Sequence, residues 1–218
     1  MNQRVLIRSL ALLSVTMLGI AVFMLFQARK PAGFVEPTYE LQEQPNPYAG
    51  FSIPEFRLTD RNNRPIDQTV LDHRFTVVDF FFTNCPLYCP VMTSEMRRVQ
   101  EATKGSDLQL LSISIDGEND TPERIDGYAK AFDAEPGRWR FATGDPEAVA
   151  DLVLNGLKFH IRGRAATLAA GETQLEHPTK LILIGPDRTV IGLYTYNNPE
   201  EIDELIATAR RLVAKPVP

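Results

Sequence analysis

The sequence predicts an α/β domain with a central mixed sheet flanked by helices, carried behind one N-terminal transmembrane helix. Two observations lead there. Apolar runs of strand length alternate with capped helical stretches from residue 55 onward, and an uncharged run of membrane-spanning length lies near the N-terminus. The composition agrees: 218 residues, 44% hydrophobic and 23% charged, suit one well-buried domain plus an appendage.

The N-terminal stub, residues 1–8, leads into SLALLSVTMLGIAVFMLFQ, residues 9–27. Nineteen uncharged residues are about what a helix needs to cross a hydrocarbon core of roughly 30 Å. A cleaved signal is the competing reading. Its apolar region would be shorter, and the small-x-small cleavage pattern is missing, because Phe26 stands two residues before Ala28. No cysteine follows to accept a lipid. Arg4 and Arg8 balance Arg29 and Lys30, so charge alone does not orient the helix, whereas the short stub favours a domain outside the cytoplasm. The expectation is a single-pass protein of a bacterial plasma (inner) membrane with its domain on the periplasmic side. Residues 28–54 are proline-rich and aperiodic and read as a linker.

The domain is expected over 55–214. FRLTD and RPIDQ flank the turn Arg61-Asn62-Asn63 as a short hairpin, and FTVVDFFF, residues 75–82, reads as a buried strand. SEMRRVQEAT is helix-like and LQLLSISID is a second buried strand. Thr121 caps a helix with Pro122 at its first position, running through Phe132. WRFATG is a third strand, and Asp145 caps another helix through Leu157. TKLILIGPD and TVIGLYTY form a strand pair, and Pro199 opens a last amphipathic helix to about Val213.

The first 30 residues hold four basic side chains and no acid, so the remainder carries 19 basic against 28 acidic residues, a net of −9. That balance repels phosphate backbones and argues against nucleic acid as a partner. Two cysteines are too few for a disulfide framework, and Cys85 and Cys89 stand four apart. They follow a buried strand where a helix begins, the end at which open α/β sheets present functional groups. There the helix dipole stabilises a thiolate. Pro86 suits the first helical position, Cys89 at i+4 shares a face with Cys85, and Pro90 is expected to loosen that turn and push Cys89 toward the exposed edge.

Two thiolates leave a metal short of a full shell. His177 precedes the strand TKLILI and is expected in a loop at an element end. Two sulfurs and an imidazole form a soft, low-coordinate set that favours copper, whereas zinc would want a fourth ligand. On spacing alone a copper site, a redox disulfide and an inert buried pair all stand open.

The stretches FFTNCPLYCPVM, SISIDGENDTPERIDGYA and EHPTKLILIGPD occur in that order from about Phe56 to Val213. Together they resemble the Sco/SenC family. The resemblance implies a thioredoxin-like fold and a copper chaperone that serves the copper-centre subunit of cytochrome c oxidase, or another copper protein. It places the family's metal ligands on Cys85, Cys89 and His177. Asp116 and Asp120 match acidic positions of the second motif, with a loop-shaping role expected.

Two features keep a thiol-disulfide oxidoreductase in view, one that reduces disulfides of a copper-site protein with Cys85 and Cys89 as its redox pair. Asp79, six residues before Cys85 on the same strand, resembles the buried aspartate of thioredoxins, and a buried carboxylate with a raised pKa could act as a base. Pro178 resembles their cis-proline. Asn84 stands where the family often has His. His73 reads as a surface residue and His160 as structural. Trp139, the Phe80-Phe81-Phe82 run, Met92 and Met96 read as core.

Overall fold

The computed structural model describes residues 46–48, 50–157 and 179–214, and positions 17, 18, 20, 23 and 24 of the N-terminal segment. The elements in chain order are β1 (Arg57–Asp60), β2 (Pro65–Asp67), β3 (Thr76–Phe81), α1 (Tyr88–Ala102), β4 (Gln109–Ser114), α2 (Pro122–Ala131), β5 (Trp139–Thr143), α3 (Pro146–Asp151), β6 (Lys180–Ile184), β7 (Val190–Thr195) and α4 (Pro199–Val213).

All six residues of β3 are buried because the strand is central, with β4 paired parallel on one side and β6 antiparallel on the other. Strands covered on both faces read as continuous apolar runs, which is how β3 and β4 appear in the sequence. The sheet order is β2-β1-β5-β4-β3-β6-β7. Its middle, β5-β4-β3, is parallel, and antiparallel pairs close it on each side. This is the mixed sheet expected.

The helices begin where the sequence signals placed them. Thr121 accepts from the Arg124 amide, Asp145 from Glu147, and Asn198 from Glu200 and Glu201, each with proline in the first turn. Ile202, Leu205, Ile206 and Ala209 form the buried stripe of α4. After Asp151 the chain does not continue as α-helix but widens into a π turn, Leu152–Gly156, which buries Leu152 and Val153.

Three details differ from expectation. Helix α1 starts at Tyr88, and Pro86 lies before it rather than at its first position. Pro90 does not loosen the turn. It occupies the third helical residue, where no amide donor is needed, and Cys89 is wholly buried instead of exposed. The packed unit also begins earlier than residue 55. Ser52 bridges to Thr189, Ile53 donates to Arg188 O at 3.0 Å, and Asn46 Nδ2 donates to Val190 O at 2.7 Å. A Cβ on Gly156 would fall 2.4 Å from Pro54 Cδ, so this strap lies flat against the domain.

The N-terminal segment forms a unit of its own, residues 1–44. Its described residues Met17, Leu18, Ile20, Phe23 and Met24 are helical and exposed. Among the described residues no helix is long and apolar enough to cross a membrane.

Candidate thiol and metal site

The chain leaves β3 at Phe81 and turns so that the Cys85 amide donates to Phe82 O at 3.3 Å. Helix α1 then begins without a side-chain cap, since its N-cap residue is Leu87. The sulfur of Cys85 takes that place. It accepts from the Cys89 amide at 3.4 Å, as a capping oxygen would from the second helical residue. Burial pushes the Cys85 thiol up, but the amides of Cys89, Leu87 and Tyr88 and the Cys89 thiol outweigh it and hold its pKa below the ordinary value.

Cys89 is the opposite case. Burial raises its thiol far above the ordinary range, a hydrogen bond with the Phe82 backbone opposes this, and the neighbouring Cys85 and Asp79 raise it further. Both thiols are reduced in the structure. The pair is therefore asymmetric, with Cys85 the residue of lowered pKa and slight exposure, 8%, and Cys89 the sealed one at 0%.

The loop that carries the pair is braced from β4. Asp120, wholly buried, accepts from the Thr83 amide at 3.0 Å, Thr83 Oγ1 at 2.5 Å and Ser114 Oγ at 2.6 Å. Asp116 accepts two bonds from Asn119 Nδ2, at 2.9 and 3.0 Å, and its own amide donates to Ser114 Oγ at 3.1 Å. These contacts give both aspartates loop-shaping roles. Gly117 is required here, because a Cβ would meet Gly144 O at 1.7 Å. Asn84, exposed, accepts from Arg124 Nη2 at 2.8 Å and ties the loop to the start of α2.

Beneath the cysteines Asp79 is wholly buried. Ser112 Oγ donates to its Oδ1 at 2.5 Å, and Trp139 Nε1 donates to Ser112 Oγ at 2.9 Å. The other carboxylate oxygen, Oδ2, is buried with no hydrogen-bond partner. Burial, only partly offset by Ser112, pushes the Asp79 pKa up to about 7. The carboxyl that the sequence singled out is thus poised to hold or release a proton near neutrality.

Thr93 links the same region to α2: its Oγ1 donates to Cys89 O at 2.8 Å and lies 2.9 Å from Tyr128 OH. Tyr88 meets Tyr196 edge-on at 6.3 Å, and around Cys85 the side chains of Leu87, Tyr88 and Val91 are exposed. Thr83, Ser112 and Ser114 fall within the motif stretches but receive no role from sequence reading, and Tyr196 lies outside them; their roles are defined by the partners they meet in the fold. Met92, Met96, Trp139 and the three phenylalanines are core, and His73 is exposed with φ 61°. His177, Pro178 and His160 lie outside the described residues.

Among the described residues no group of three or more His, Cys, Asp or Glu side chains gathers. The donor chemistry present is two sulfurs, one with a lowered pKa, on one face of a helix end. That fits a soft, low-coordinate metal such as copper and falls short of a tetrahedral zinc shell.

A sequence model of the SCO1/SenC family matches residues 45–214. The SCO1 protein homolog of Bacillus subtilis strain 168 is 26% identical over 163 residues, covering 73% of this chain and 82% of the relative. The structure of BsSco, described as a member of the Sco family of cytochrome c oxidase assembly proteins, superposes with a TM-score of 0.66 at 24% identity, over 75% of this chain and 94% of the other. That of Bradyrhizobium japonicum ScoI with copper bound gives 0.60 at 23% identity, over 72% and 98%. These two structural likenesses bear on the fold.

Proposed function

We propose, from the premise that the chain belongs to the SCO1/SenC family, that it is a membrane-anchored copper chaperone that delivers copper to the copper-centre subunit of cytochrome c oxidase or to another copper protein. The observation that carries this is the paired sulfurs of Cys85 and Cys89 at the N-terminal end of α1, with a backbone that already favours one thiolate. His177 completes the ligand set, and residues 9–27 hold the domain at the periplasmic face of a bacterial plasma membrane. Copper is cargo here. A low-coordinate sulfur site suits transfer by ligand exchange, because an incoming ligand finds an open position. The exposed apolar rim of Leu87, Tyr88 and Val91 supports a protein as the recipient.

The test is metal analysis of the full chain, reduced, in neutral detergent after incubation with Cu(I) and dialysis. About one copper per chain is expected, lost in Cys85→Ser and Cys89→Ser and held much more weakly in His177→Ala. Stoichiometric copper in the double cysteine variant would sink the chaperone reading. Unchanged affinity in His177→Ala would remove the third ligand only.

A second reading rests on the asymmetry of the pair and the buried Asp79. In a thiol-disulfide oxidoreductase the Cys85 thiolate attacks a target disulfide, forming a mixed disulfide and releasing one target thiolate. Cys89 then gives its proton to the Asp79 carboxylate and attacks Cys85. The Cys85–Cys89 bond forms, the second target thiolate leaves, and two electrons have passed to the target. The two readings are compatible, since only the reduced pair can take copper. Rapid reduction of a model disulfide, lost in Cys85→Ser and kept in His177→Ala, would favour the enzyme.

A further inference from the structure

At the far end of the sheet from the cysteines, a cavity of about 560 Å³ opens between the β1–β2 turn, the second half of α2 and the loop entering β5. Trp139 and Arg140 pair with Leu110 and Leu111, which pair with Val77 and Val78, near the start of β3. The cysteines follow the end of that strand. The cavity is therefore a separate place.

Its lining is basic in a domain whose overall balance is acidic. Arg61, Arg64, Lys130 and Arg140 contribute four positive charges against the two negative charges of Asp60 and Asp126. Lys130 and Asp126 neutralise one another at 2.6 Å. Asp60 Oδ1 already accepts the amides of Asn62 and Arg64, at 2.8 and 2.9 Å, and spends its lone pairs on the turn. Among the described residues none of the three arginines has an ion-pair partner, and Arg61 lies over the ring of Phe141 at 6.0 Å. With four cationic and two acidic side chains the lining keeps a net positive charge, and an anion among the guanidinium groups offsets their mutual repulsion.

The remaining wall sets the ligand's shape. Ala134, Pro136 and Gly137 complete it, and Trp139 and Phe141 stand behind it, wholly buried. A basic mouth at a volume within the range of roughly 300–1,000 Å³ typical of small-molecule sites suits a small anion.

We propose that this cavity is a binding site for a small polyanion, a polycarboxylate or polyphosphate, held by Arg61, Arg64 and Arg140. Planar guanidinium groups donate in pairs to carboxylate and phosphate oxygens alike, so the class is set by charge and size.

Trp139 is the sole tryptophan of the chain and lines the cavity, so its emission reports on the site. Metal-free full-length chain in neutral detergent is titrated with citrate and, separately, tripolyphosphate at constant ionic strength. A saturable change in Trp139 emission is expected with at least one, and which one answers decides between carboxylate and phosphate ligands. Arg61→Gln combined with Arg140→Gln should weaken binding at least about tenfold, and Lys130→Glu, at an exposed position, should weaken it severalfold without disturbing the fold. Cys85→Ser should bind as wild type, so failure of the copper reading leaves this result untouched. A response to neither anion, or one unchanged in both the arginine and the Lys130 variants, overturns the proposal.

Discussion

The backbone amide of Cys89 donates to the sulfur of Cys85 at 3.4 Å, so the second cysteine stabilises the first as a thiolate through its main chain while its own thiol is sealed in the core. Cys85 is expected to react first with iodoacetamide, and its alkylation to gain half its rate at a pH below that of a free thiol, about 8.5. Cys89→Ser keeps the amide and should keep most of this reactivity. Mass spectrometry of the labelled chain across pH 6 to 9 checks it; equal labelling of both sulfurs would contradict the asymmetry.

Asp79 titrates at about 7 in the fold against 3.8 for an ordinary aspartate. Because the folded state holds its proton more tightly, this carboxyl's contribution is fully present below about pH 4. It is lost as pH rises toward 7, on the order of 1.4 kcal/mol per unit. Asp79→Asn removes the charge and keeps an acceptor for Ser112. Urea unfolding should show the variant stabilised at pH 8 relative to wild type and nearly matched at pH 4, with the wild-type slope between them gone.

Asp120 accepts three hydrogen bonds from Thr83 and Ser114 in a buried site. Asp120→Ala strands those donors and should cost on the order of 3 kcal/mol. The loop before Cys85 then loosens, and copper should be held about tenfold more weakly. Thr83→Val, which removes one hydroxyl, should give a smaller loss in both measurements.

Arg138 offers a control away from the cysteines. Its guanidinium donates to Gln100 O, Thr103 O and Leu108 O at 2.9, 2.7 and 3.2 Å, closing the C-terminal end of α1. Arg138→Met removes these three donations, although Thr103 O keeps those of Ser106, and should cost about 3 kcal/mol in denaturant unfolding, with copper stoichiometry unchanged at temperatures where the variant is folded.

Most of the sheet was legible because its signals are local. Strands β3 and β4 are unbroken apolar runs, and Thr121, Asp145 and Asn198 each stand before a proline that starts a helix. The first turn of α1 was misread in detail, since Pro86 reads as its first residue and Pro90 as a disruption within it. The rule that the opening amides of a helix need no partner makes Pro90 harmless. Residues 46–53 read as linker for want of periodicity, yet they are held by backbone bonds to the β7 region that no local pattern announces.

By itself the sequence determined the alternation of strand and helix, the place of Cys85 and Cys89 where β3 gives way to α1, and an aspartate within an otherwise apolar strand. Each depends on neighbours a few residues apart. Only the tertiary structure decided which cysteine has the lowered pKa, that Ser112 and Trp139 hold Asp79 in the core, and that Asp120 braces the loop from 37 residues away. It also gathered Arg61, Arg64 and Arg140 around one cavity. Burial and hydrogen-bond geometry fix a group's charge, and both arise from contacts between segments that meet only when the sheet closes.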